Sequence, residues 1–68
     1  MIFVLSAQWS KKLLALPESG MGYQKVNVML KSGLVINGLI VQNAQELIVP
    51  AKIESFKEED ILDIEVVS

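Results

Sequence analysis

A chain of 68 residues with eight acids and six lysines, and with no arginine, histidine or cysteine, makes one domain. It excludes disulfides, thiolate or imidazole metal sites and any histidine-based catalytic triad. The net charge of −2 has the wrong sign for holding nucleic-acid phosphates, and arginine, the residue suited to bidentate phosphate contacts, is missing.

Residues 1–5 are apolar but far too few to span a membrane, and they lack the basic flank of a signal peptide. A soluble, cytoplasmic protein is expected, and whether this run is helix, strand or frayed end stays open. A helix is predicted over 6–16, because Leu5, Trp9, Leu13 and Leu16 recur at spacings of four and three. Ser6 suits its N-cap, and Lys11 and Lys12 suit its later turns, where positive charge complements the helix dipole. Pro17 ends it, and 17–22 is a turn-rich connection.

Five short strands are predicted over 24–30, 34–41, 46–49, 52–56 and 61–67. In the first, Val26, Val28 and Leu30 share one face. A two-residue hairpin loop would set Val28 opposite Asn37 and place an amide in the core. A three-residue loop at 31–33, with Gly33 in the left-handed region, pairs Val28 with Ile36 and Val26 with Gly38 instead. A one-residue slip turns a whole strand over, so the apolar face selects the three-residue loop. On that register Leu34, Ile36, Gly38 and Ile40 face the core, with Gly38 at a sharp bend of the inner face. Short strands with turns every eight to twelve residues indicate a small all-β barrel behind an N-terminal helix.

The run Val26, Val28, Leu30, Lys31, Ser32, Gly33, Ile36 and Gly38, set behind a helix, resembles the Sm-like fold, a small barrel of the Src-homology-3 type. The resemblance extends from about Trp9 to Val67. It implies a ring that binds single-stranded RNA through two loops. In the first, the family's Asp-x-x-Met-Asn is replaced by the run from Asn43 to Leu47. In the second, Lys57 and Glu58, followed by Glu59 and Asp60, stand where the family carries Arg-Gly. Consecutive acids repel phosphate there, so the fold carries over and the RNA pocket does not. The segment from Trp9 to Gln24 also resembles the opening of a group of small bacterial proteins with no assigned activity.

The outer face of the second strand is the main candidate site. Met29, Val35, Leu39 and Val41 form an apolar stripe, and contiguous exposed apolar surface marks an interface. The chain's own helix could cover that stripe, but its narrow apolar face favours a second copy of the protein or another protein. The 51% hydrophobic content agrees, because so short a chain buries only about 60% of its unfolded surface and gains from a partner subunit. Gly33, Gly38 and Trp9 are read as structural residues. No enzyme activity and no cofactor is expected: Glu58, Glu59, Asp60 and Asp63 read as a solvated turn rather than a cation site. The expectation is a non-catalytic, self-associating interaction module that does not act on nucleic acid. Its alternative is an atypical RNA-binding ring using Lys25, Lys31, Lys57 and Tyr23.

Overall fold

The computed structural model describes residues 1–18, 20–53 and 56–67. Its elements are β1 (Ile2–Val4), α1 (Ala7–Leu14), β2 (Tyr23–Leu30), β3 (Val35–Gln42), β4 (Glu46–Ile48), a 3-10 turn (Glu58–Asp60) and β5 (Ile61–Val66). The strands form one antiparallel sheet in the order β1-β4-β3-β2-β5, curled into a half-barrel with α1 beside it. No helix among the described residues is long and apolar enough to cross a membrane.

The helical stripe works as its spacing predicts. Leu5 and Leu13 are buried and Trp9 packs against the core. The helix stops at Leu14, so Leu16 lies beyond it and stays partly exposed. Ser6 occupies the N-cap position in extended conformation without a side-chain cap bond. Its N–H instead donates to Glu58 Oε2 at 2.6 Å, which ties the helix start to the 3-10 turn. The other end is held from β2: the buried amide of Gln24 donates through Nε2 to the carbonyls of Leu13 (2.8 Å), Leu16 (3.3 Å) and Pro17 (3.3 Å). A side chain from the sheet thus adds a bond to Leu13 O, which also accepts from Leu16 N–H at 3.1 Å, and reaches two carbonyls just beyond the helix end.

Residues 1–5 resolve as a strand rather than helix. β1 lies along β4, pairing Ile2 with Ile48, Phe3 with Leu47 and Val4 with Glu46. The strand expected over 52–56 is not seen at Lys52, Ile53 or Phe56, and its Glu54 and Ser55 fall outside the described residues. The second side of β4 is taken by β1, and Phe56 instead packs its ring against Phe3, with centroids 5.1 Å apart.

The hairpin between β2 and β3 has the expected three-residue loop. Leu30 N–H donates to Leu34 O at 2.8 Å, and Gly33 has φ +98°. Val28 pairs with Ile36 as predicted, but the next pairing is Val26 with Leu39, not Gly38. Asn27 therefore faces two residues, Asn37 and Gly38, in a β-bulge. Gly38 adopts φ +74°, and its N–H, released from the ladder, donates to Asn27 Oδ1 at 3.1 Å. The extra residue turns the rest of β3 over. Leu39 and Val41 point into the core, 2% and 0% exposed, while Leu34 is exposed and Ile40 lies on the outer face, partly buried. The inner-face assignment of Gly38 and Ile40 is corrected accordingly. Ile36, before the bulge, keeps its predicted side; Leu34, also before it, keeps its predicted pairing with Leu30 but is exposed at the end of the hairpin loop and adds nothing to the core.

Candidate functional site: two open sheet edges

The bulge dissolves half of the predicted interface. Leu39 and Val41 cannot meet a partner, because they are among the most buried side chains of the chain. Met29 and Val35 do lie opposite each other on the outer face, Val35 about half exposed and Met29 partly buried. The apolar outer row falls elsewhere. Following the pairings across the sheet, Lys25, Ile40, Ile48 and Ile2 lie side by side on adjacent strands. That row ends at β1.

β1 is an outermost strand of the sheet. Met1 and Val49 exchange backbone bonds of 2.8 and 2.7 Å, and Leu5 N–H donates to Gln45 O at 2.7 Å. Antiparallel ladders alternate bonded and non-bonded pairs, so residues 1, 3 and 5 bond inward to β4. The N–H and C=O groups of Ile2 and Val4 then point outward along a free edge. Their side chains are 62% and 78% exposed. The sequence alone leaves this run undecided, although Ile2, Phe3 and Val4 carry the β-branched and aromatic signal of a strand.

The opposite edge is β5. Val67 N–H donates to Lys25 O at 2.8 Å and Val26 pairs with Val66. The same alternation turns the backbone groups of Ile64 and Val66 away from β2. A groove of about 360 Å³ runs beside them, walled on its other side by Lys12 and residues 16–18. Ile64 N–H is taken by Asp63 Oδ1 at 2.9 Å, and the same carboxylate bonds Lys12 across the groove. The Lys12 ammonium also lies 5.8 Å from the Trp9 ring centroid, a weak cation–π approach.

The hydrogen bond from Lys12, helped by the one from Ile64, holds the Asp63 carboxyl below the usual aspartate range, against a smaller opposing effect of burial. A lowered folded-state value makes the bridge stabilising above the ordinary aspartate pKa of about 3.9, and that contribution is lost as pH falls through the lowered value. The pair is about half exposed, so the effect on stability is small. In a carboxyl NMR titration, Lys12→Met should move the Asp63 midpoint upward; an unmoved midpoint would mean that the bridge does not form in solution.

Three of the four acids expected in a solvated turn bond a backbone group or a lysine. Glu58 holds Ser6, Asp60 Oδ2 accepts from Lys57 N–H at 3.0 Å, and Asp63 holds Lys12. Among the described residues no three carboxylates come together as a metal site. Of the alternative RNA set, Lys31 and Lys57 both donate a backbone N–H to Asp60, at 2.9 and 3.0 Å, and so meet at the 3-10 turn, whereas Tyr23 stands at the far end of β2. No family model, curated protein or solved structure matches this chain.

Proposed function

We propose that this chain is a non-catalytic protein-interaction module that self-associates, edge to edge, through β1. The observation carrying the reading is a free sheet edge whose exposed side chains, Ile2 and Val4, are apolar, with neither a charged side chain nor a proline among them. Exposed edges are ordinarily blunted by charged side chains, proline or a covering element, because an unprotected edge recruits another strand. Here Ile2 and Val4 offer both backbone groups and exposed side chains, and the first charged side chain in the chain is Lys11. The Sm-like character of the half-barrel belongs to the same proposal, supported by the three-residue hairpin loop and the glycine at the bend.

The occupant is a second copy, because this edge is complementary to itself. In an antiparallel two-fold pair centred on Phe3, Ile2 of one copy lies opposite Val4 of the other. Each such pair exchanges two backbone hydrogen bonds, which makes four across the interface. The two Ile2 and two Val4 side chains then cluster on the outer face and continue the Ile40–Ile48 row. Burying a valine or isoleucine contributes about 1.5–3 kcal/mol gross, before the entropy of association is subtracted.

Sedimentation equilibrium over a range of concentrations tests this. Wild type is expected to form dimers, and Val4→Lys to be monomeric with unchanged circular dichroism, since Val4 lies outside the core. A wild-type monomer at millimolar concentration, or a dimer untouched by Val4→Lys, would remove β1 as the interface.

A further inference from the structure

We infer that the groove between α1 and β5 takes an extended peptide of apolar and basic residues, which adds to β5 as a sixth strand of the sheet. Three independent features meet there. The first is hydrogen-bonding capacity. The C=O of Ile64 and both backbone groups of Val66 face outward by the ladder alternation, without partners among the described residues. An added strand satisfies such groups directly, and main-chain bonds then supply affinity whatever the peptide sequence.

The second feature is shape. β5 is not a bare edge: Leu16 and Pro17 stand opposite it across the groove. A strand laid there is enclosed on one side by sheet edge and on the other by an apolar wall, so alternate side chains of the peptide have a surface to bury against.

The third is charge. Glu18, Asp63 and Glu65 line the groove against Lys12 alone, and Lys12 is already bonded to Asp63. Glu18 Oε2 accepts from Gly22 N–H at 3.0 Å, and Glu65 is exposed. The groove is therefore negative, and it selects a peptide carrying lysine or arginine over an acidic one. Asp63 plays a second part, because by occupying Ile64 N–H it guards the middle of the edge. A peptide carbonyl must displace it there, which restricts entry to strands that also compensate the groove's charge.

The test is an NMR titration on Val4→Lys, so that it reads the groove whether or not β1 pairs copies of the chain. The probe is a capped hexapeptide alternating valine and lysine, with its valine–glutamate counterpart as the control. Saturable shifts of the Ile64 and Val66 amides with the lysine peptide are expected. The control should bind at least about tenfold more weakly, and moderate salt should narrow that gap. Val66→Pro removes an outward-facing N–H and no bond of the β2–β5 ladder, so the fold survives while peptide affinity drops about fivefold or more. Glu65→Lys, on an exposed side chain, should reduce the preference for the lysine peptide.

Three results would overturn the proposal. The two peptides could bind equally, or Val66→Pro could leave affinity unchanged while its spectrum stays native. Self-association could also persist in Val4→Lys and vanish in Val66→Pro, which would make a second copy the occupant of the groove.

Discussion

Leu39→Glu is expected to unfold the chain at neutral pH. Leu39 is 2% exposed and belongs to a core of thirteen buried apolar side chains drawn from α1, from β2 to β5 and from the segments beside them. An ionised carboxylate there loses its hydration with no cation in the core to compensate it, a penalty of several kcal/mol after relaxation. Removing the leucine adds its own loss, since truncating a buried leucine to alanine costs about 2–5 kcal/mol. A domain of this length has only about 3–10 kcal/mol of stability in total. The penalty therefore matches or exceeds what holds the fold. Val35→Glu, on the exposed outer face of the same strand, should change stability by no more than about 0.5 kcal/mol. Amide dispersion in a proton–nitrogen spectrum separates the two variants at once. A well-dispersed spectrum for Leu39→Glu would put Leu39 back on the outer face and demand a hairpin without its bulge.

That contrast marks the point at which the sequence stops being decisive. The hairpin loop is legible because the alternatives differ sharply: one places Asn37 in the core and the other places Ile36 there. Beyond Gly38 the alternatives do not differ in the same way. Leu39, Ile40 and Val41 are all apolar, so either face of β3 reads as a credible core, and a period of two cannot choose between them. The deciding feature is backbone geometry. A glycine in the left-handed region inserts one extra residue, and Asn27 supplies the acceptor that its freed N–H requires. Asn37 and Gly38, adjacent and both out of character for a buried strand, are the only local sign of it.

The edge β1 is hidden for a different reason. Five apolar residues are too few for periodicity to separate helix from strand, and their pairing with β4 joins positions more than forty residues apart. The capping of α1 by Gln24 is equally non-local. Alternation puts Gln24 on the inner face with Val26, Val28 and Leu30, but nothing nearby in sequence announces the carbonyls of Leu13, Leu16 and Pro17 that its amide meets. Both features sit at the candidate surfaces: one forms the free edge itself, and the other holds the helix that walls the β5 groove. Composition speaks more clearly about excluded chemistry than about which edge is open.

The substitution series at Gly38 measures the bulge itself. A side chain there meets open space, since a Cβ on Gly38 would come no nearer to another residue than 3.7 Å from Lys25 Cε, an ordinary contact. Crowding is therefore not the obstacle; the backbone is. At φ +74° an L-residue suffers a clash between its own Cβ and the following carbonyl, costing about 1–2 kcal/mol. A β-branched side chain is worse, so Gly38→Val should lose about 2–3 kcal/mol. Asparagine is the exception among larger residues, because it tolerates the left-handed region and should cost less than about 1 kcal/mol. The expected order of destabilisation in urea midpoints is Asn, then Ala, then Val. Steric crowding gives a different order, with alanine, the smallest, the mildest of the three. The chain cannot escape the strain by slipping the bulge out, because that slip would turn Leu39 and Val41 to solvent and empty the core they fill. Finding alanine better tolerated than asparagine would show that the site is limited by space, and the left-handed conformation of Gly38 would have to be given up.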